Sequence, residues 1–509
     1  MRTDNGESVS VWMATADTPP APPLDADQMA DVCIVGAGIA GLTTAYLLAR
    51  AGQRVIVLDD GPLGGGMTAR TTAHLTNALD DRFSELERLF GEQGSRLAAE
   101  SHTAAIDQIE TIVRAEQIAC EFERLDGYLF IPPHGQMKVL EDELPAAHRA
   151  GLTEVRRLER APLDAFDTGP CLHFPRQGQF HPLKYLTGLV RAITRDGGQL
   201  FNTHATKIVG GSDARVETTA GHTVAAGAVV VATNTPVNDL VAIHTKQAPY
   251  STYVIGARIP AGSVPKLLLW DAPPDPYDAY HYLRLESADG YDVLVVGGED
   301  HKTAQADDAS QRWGKLEQWT RNRFKVEGIE YRWSGQVMEP VDSLAFIGRN
   351  PGDEQNVYIA TGDSGMGMTH GTIAGLLLTD LIMGRANPWA ELYDPARKTL
   401  SAVMDFAREN ANVMAQYTAL ATPGEVESVD EIEPGKGAVL RRGLTKVAVY
   451  RDESGALHER SAICAHLGCV VHWNPAEQTW DCPCHGSRYH RDGHVVSGPA
   501  NSGLAPVEE

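Results

Sequence analysis

No run of 18 apolar residues occurs anywhere in this chain of 509 residues, which argues against a membrane-spanning helix. The opening stretch, MRTDNGESVSVWMATADTPPAPPLD, has neither the apolar centre of a secretory signal nor a twin arginine, and the expected compartment is the cytoplasm. Basic residues are few: 44 Lys and Arg stand against 67 Asp and Glu, a net charge of -23. Nucleic acid and anionic membrane surfaces both select basic patches, so neither is expected as a partner. Cysteine is sparse as well. Of seven, Cys33, Cys120 and Cys171 are scattered and read as small buried hydrophobes. The other four crowd between Cys464 and Cys484, a density that needs chemistry to explain it. There is no internal repeat.

The length asks for more than one core. Residues 1–30 are polar and proline-rich and read as a tail, extended on the surface or partly disordered. Then DVCIV, a helix opened by GAGIAG, and RVIVLDD form a β-α-β unit whose unbroken apolar strands suit a parallel sheet covered on both faces. Gly36, Gly38 and Gly41 make G-x-G-x-x-G between strand and helix, with Asp59 at the end of the second strand. The glycines allow a tight turn, close approach of backbone to a pyrophosphate, and helix–strand packing. The helix start offers amides to the phosphates and the acid accepts ribose hydroxyls. A tight structural turn is the alternative. Residues 250–300 alternate and are rich in Tyr, as antiparallel strands are, and 356–384 repeats strand, Gly-rich turn (Gly362, Gly365, Gly367) and helix.

These segments resemble the D-amino-acid-oxidase/glycine-oxidase superfamily of FAD enzymes over residues 31–400. The resemblance implies a Rossmann-like α/β FAD-binding domain with an interleaved α+β substrate domain built on an antiparallel sheet. It assigns Arg70, Thr71 and Thr72 as pyrophosphate or flavin neighbours, Val209 as the adenine contact, and Gly365, Gly367, Met368 and Thr369 as neighbours of the ring. Thr71, not His74, aligns with the histidine that relatives use to bind flavin covalently, so non-covalent FAD is expected. Candidates near the flavin are His74, Tyr253 and Arg284. Tyr250, Tyr280 and Tyr282 are further candidates for an aromatic pocket. Relatives that oxidise α-amino acids hold the substrate carboxylate with an Arg, where this chain has Gln336, Val337 and Met338. That departure disfavours a simple α-amino acid.

The last part carries Cys464-x-His466, then Cys469, then Cys482-x-Cys484-His485. Two Cys and two His from two loops are the donor set of a Rieske [2Fe–2S] centre. A Cys2His2 zinc site would use the same four, but has no use for Cys469 and Cys484. The segment resembles the Rieske family, especially the respiratory kind. That resemblance implies an all-β domain, a Cys469–Cys484 disulfide, and hydrogen bonds from Ser487 and Tyr489 that raise the cluster's potential. The expected division is FAD-binding segments 31–80, 181–240 and 336–400, substrate segments 81–180 and 241–335, a helical linker 401–436, and the Rieske domain 437–509. A two-electron flavin beside a one-electron cluster suggests a dehydrogenase of a small amine, acting on a C–N bond by hydride transfer and passing electrons to an external acceptor. Two alternatives stay open: a flavin/iron–sulfur carrier or redox sensor, and an H2O2-producing amine oxidase with a structural cluster.

Overall fold

The computed structural model describes residues 5–133, 135–238, 242–272 and 280–507. Two large sheets make up the first four-fifths of the chain. The first runs Phe346–Arg349, Val357–Thr361, Thr223–Val231, Gln28–Val35, Val55–Asp59, Gln199–Asn202. All neighbouring pairs along it are parallel except the antiparallel edge strand Phe346–Arg349. Its central strands are almost continuously apolar because helices cover it. Helices Ile39–Arg50 and Gly367–Ile382 pack directly on each other. A side chain at Gly375 would meet Thr43 Cγ2 at 2.5 Å, and one at Gly371 would meet Ile39 Cγ2 at 2.6 Å. This glycine seam brings both helix starts to the same end of the sheet.

The second sheet has nine strands, in the order Gly328–Pro340, Gln247–Pro260, Tyr291–Lys302, His281–Ser287, Leu268–Asp271, Glu123–Phe130, Cys171–Gln179, His74–Leu75, with Arg156–Leu158 attached to Cys171–Gln179. It is antiparallel apart from the pairing of Leu268–Asp271 with Glu123–Phe130. A helix of 33 residues, Phe83–Ala115, kinked at Gly91, joins the two regions. The strand Gly328–Pro340 runs unbroken through position 336, and His74–Leu75 also joins this sheet, so the two regions interleave more tightly than the expected segment ends imply.

The C-terminal domain consists of a three-stranded sheet, Lys436–Arg442, Thr445–Arg451, Leu457–Ser461, and a four-stranded one, His472–Asn474, Thr479–Asp481, Arg488–His490, Val495–Ser497. Its pairing begins before the first of these strands: Val426 bridges Leu440, and Glu425 N–H donates to the Val439 carbonyl at 2.7 Å. The preceding helix, Val403–Gln416, buries none of its residues.

The expected surface tail is instead a strap (residues 1–4 lie outside the described residues). Val11–Thr15 forms a short helix capped by Ser10, and Trp12 is fully buried. Trp12 Nε1 donates to the Thr71 carbonyl at 2.6 Å, and Ser10 Oγ donates to the Ala69 carbonyl at 2.6 Å. The proline content disguised one apolar helical turn, VWM, whose burial outweighs the cost of ordering the flanking chain.

Candidate functional site

A cavity of about 650 Å³ starts at the first Gly-rich turn and runs between the two sheets. At Gly41 an added Cβ would lie 1.9 Å from the Gly36 carbonyl oxygen, so strand and helix meet only because no side chain intervenes. At Gly38, on the cavity wall, a Cβ would meet only Thr68 Oγ1, at 3.2 Å; the room there is open toward the cavity. Asp59 pins the turn, its carboxylate accepting from Ala37 N–H at 2.6 Å and Gly61 N–H at 2.9 Å, and it too lines the wall. Thr71, Thr72, Gly365, Gly367 and Met368 lie along the same wall. A bare backbone at one helix start and a second helix start opposite suit a pyrophosphate and an anionic ring. The residues present therefore fit FAD.

Several expected positions are placed elsewhere. Val209 is off the wall, because the strand Ala205–Val209 touches the cavity only at its start, through Ala205, with Thr203 and His204 before it. Thr369 is buried behind the wall, its hydroxyl bonded to the Met366 carbonyl and in contact with His102 Nδ1. Arg70 reaches the wall, but its guanidinium turns away to Glu477 at 3.1 Å, both side chains fully buried. Burial pushes Glu477 upward, and Arg70 with Arg488 overcome it, holding the carboxyl below its ordinary range. Arg284 is fully buried off the cavity wall and donates to the carbonyls of Ala73 and Phe180 and to Glu286, with Trp12 beneath it. Tyr253 is likewise off the wall, stacked on His301 with its hydroxyl 2.9 Å from His301 Nε2.

His74 does face the cavity. Its Nε2 donates to the Leu283 carbonyl at 3.1 Å and its Nδ1 accepts from the Thr72 hydroxyl at 3.0 Å. Burial, then Arg284, push it down to about 3, so it stays neutral. Tyr282 packs edge-on against it at 5.7 Å, and Trp270, Tyr280, Gln336 and Val337 line the same cavity. Two carboxylates that sequence patterns did not single out also line this end, Asp80 and Asp363. Asp80 is open to the cavity but otherwise enclosed; burial, then Asp81 and Asp300, push it up to about 7. Asp363 is pushed up to about 6 by burial, as is Asp300, which accepts from the Tyr280 hydroxyl at 3.1 Å. Scattered acids 20 and more positions apart carry no spacing signal, so only the fold could assemble them. Among the described residues, Arg70 is the only Lys or Arg on the wall.

In the C-terminal domain the two loops meet. Cys464 and Cys482 are buried free thiols in hydrogen-bond contact, which brings Cys464 down to about 6. The rings of His466 and His485 lie 4.9 Å apart, edge to face. Cys469 and Cys484 form a disulfide. The sulfurs of Cys469, Cys482 and Cys484 lie within 4.8 Å of one another, but the disulfide pair has no thiolate to offer. The available donors are thus two sulfurs and two imidazoles, which fit a Rieske [2Fe–2S] cluster. Tyr489 O–H donates to Cys464 Sγ at 3.1 Å, and Ser487 Oγ accepts from Ala500 N–H at 3.2 Å.

The histidine end of this site faces the rest of the molecule. His244, buried in the helical turn His244–Lys246 just before the strand Gln247–Pro260, packs edge-on against His466 at 4.8 Å and His485 at 6.1 Å. Gln336, on the cavity wall, donates from Nε2 to the carbonyl of Gly486 at 3.1 Å, one residue after His485. Neither contact has a local sequence signature, because each joins residues 150 or more positions apart.

Comparison with known proteins follows the same division. A family model described as FAD dependent oxidoreductase matches residues 31–381, and one described as Rieske [2Fe-2S] domain matches residues 422–508. The Bacillus subtilis (strain 168) protein YhfW, whose name describes a Rieske 2Fe-2S iron-sulfur protein, is 33% identical over 509 residues, covering 98% of this chain and 97% of its own. Gamma-glutamylputrescine oxidoreductase of Escherichia coli (strain K12) is 28% identical over 370 residues, 70% of this chain and 84% of its own. Among solved structures, glycine oxidase from Geobacillus kaustophilus shares the fold over 73% of this chain and 99% of its own, with a TM-score of 0.58 and 19% identity. No helix among the described residues is long and apolar enough to cross a membrane. A flavin and a Rieske cluster in one polypeptide also imply exchange of electrons with a further redox partner. The chain belongs to the FAD-dependent oxidoreductase family and carries a Rieske [2Fe-2S] domain in the same polypeptide.

Proposed function

We propose that this enzyme is a dehydrogenase that oxidises a small amine at a C–N bond by hydride transfer to non-covalently held FAD, and that the electrons leave singly through the Rieske cluster to an external acceptor in the cytoplasm. One observation carries the reading. The cavity wall includes Asp80, Asp363, Tyr280 and Tyr282 and, among the described residues, no Lys or Arg except Arg70, which pairs with Glu477; through Gln336 the wall is bonded to the cluster loop. FAD supplies the hydride acceptor. Asp80 and Asp363 attract and orient an ammonium group, and the tyrosine faces favour a cation. Asp80, near neutrality, is poised to take the proton that the amine must lose before hydride transfer. His74, held neutral with both nitrogens engaged, orients rather than titrates. Gly36, Gly38, Asp59, Thr71, Thr72 and the Gly365–Met368 turn hold the dinucleotide, while Cys464, His466, Cys482 and His485 hold the irons. The chain divides accordingly into FAD-binding, substrate and Rieske segments, with the last beginning near residue 424.

The test is anaerobic addition of a panel of amines, N-methyl amino acids and hydroxy acids. An amine should bleach the flavin absorbance first and bring up the reduced-cluster EPR signal second. A response to hydroxy acids alone, or to no small molecule, would reject the reading, the latter in favour of a carrier or sensor. Acid precipitation should release all the flavin to the supernatant.

A further inference from the structure

The cavity wall is not made by the flavin and substrate segments alone. Val495, Ser497, Gly498, Ala500 and Asn501 of the C-terminal domain also line it. The reverse side of this stretch lies on the cluster loop. Ala500 N–H donates to Ser487 Oγ, and at Gly498 (φ 101°) an added Cβ would lie 2.4 Å from Ser487 Cα. Its far end is tied to the dinucleotide region: Asn501 Nδ2 donates to the Thr206 carbonyl at 2.9 Å, and the Asn501 carbonyl accepts from His204 Nε2 at 3.3 Å. His204 itself is on the wall, paired with Asp60 at 2.6 Å. A stretch of seven residues, 495–501, therefore has the cluster loop on one face and the FAD cavity on the other.

We infer that this stretch is part of the FAD site, and that cluster assembly and FAD binding are linked through it. Val495–Ser497 pairs with the strand Arg488–His490, and Gly498 and Ala500 are buried against Ser487, so the conformation of the segment is set by the cluster loop it packs on. With irons ligated, the loops 464–469 and 482–486 are locked and the wall is in place. Without them, FAD binding must order the wall and its affinity falls. Linkage is reciprocal, so bound FAD must stabilise the cluster-loaded domain by the same factor. The inference concerns assembly and holds for any substrate and either direction of electron flow.

The experiment uses the full chain, stripped of FAD and retitrated with FAD while flavin fluorescence is followed. Cluster-loaded protein should bind roughly 5- to 150-fold more tightly than cluster-free protein prepared as Cys464→Ser, the usual span of coupling between sites. Asn501→Ala with an unchanged cluster EPR spectrum should also bind FAD several-fold more weakly. Equal Kd values for loaded and cluster-free protein would overturn the linkage, and an unchanged Kd in Asn501→Ala would overturn the assignment of this wall. Should Cys464→Ser not fold, the cluster absorbance of the wild type is followed on heating. Bleaching at a higher temperature with saturating FAD supports the inference, and bleaching at the same temperature overturns it.

Discussion

At the scale of single residues, two carboxylates of this molecule, one open to the cavity and one sealed in the core, behave in opposite ways. Asp80 is a carboxyl shifted up to about 7, chiefly by burial. A folded-state value above the unfolded one means its contribution to stability is complete in the ordinary carboxylate range and is lost as pH rises through about 7. A bound ammonium removes that penalty by pairing with the ionised form. Affinity for a non-reactive amine should therefore rise between pH 6 and 8. Asp80→Asn should flatten this dependence and weaken binding about tenfold or more at pH 8, the worth of one hydrogen bond to a charged group, about 1.5–3 kcal/mol. Isothermal titration checks it, and an unaltered pH profile would remove Asp80 from amine binding. Glu477 is the reverse case, held below its ordinary value of 4.5 by Arg70 and Arg488, so its contribution is present at neutral pH and lost under acid. Glu477→Ala leaves Arg70 buried and uncompensated and should cost about 3–5 kcal/mol in urea unfolding. Replacing both partners by Met should cost much less.

Among the elements, the glycine turn and the strap depend on different physics. The turn is a matter of excluded volume. Gly41→Ala places a methyl 1.9 Å from a carbonyl oxygen, so the variant should purify with most of its flavin missing, as the ratio of flavin to protein absorbance will report. The strap is a matter of burial and hydrogen bonding across regions. Ser8 contacts Glu477 and Arg70, and Glu7 N–H donates to the Glu477 carbonyl at 3.1 Å. It thus stitches the C-terminal domain to the flavin region, while Trp12 plugs the space under Arg284. Trp12→Ala should destabilise by about 3–5 kcal/mol, the usual cost of removing a large buried ring.

For the whole molecule, the position of the cluster's histidines decides what the fusion can do. They face inward, onto His244, and the adjoining Gly486 is bonded to a residue of the flavin cavity. Under the proposed relay, electrons would pass from flavin to cluster across this contact. Gln336→Leu removes the bridge without removing a cofactor ligand. Substrate-dependent bleaching of the flavin should keep its rate, while the reduced-cluster EPR signal should appear several-fold more slowly. Equal slowing of both signals in freeze-quench samples would mean that Gln336 serves the substrate chamber instead.

The cofactor-binding signatures were readable from the sequence because each is local. G-x-G-x-x-G must sit between a strand and a helix, and the Cys-x-His and Cys-x-Cys-His pairs must bring donors together within a few residues, so their spacing alone announces them. The antiparallel sheet showed in its alternation of Tyr and apolar positions for the same reason. What the sequence could not show is everything made across distance. Arg284, a candidate neighbour of the flavin by sequence, is consumed by backbone carbonyls and Glu286, and Arg70 by Glu477. Asp80 and Asp363 come to line one cavity, and residues 495–501 come to lie between that cavity and the cluster loop. A side chain's chemistry is written in its identity, but its availability depends on which neighbours desolvate and pair it, and only the packed chain decides that.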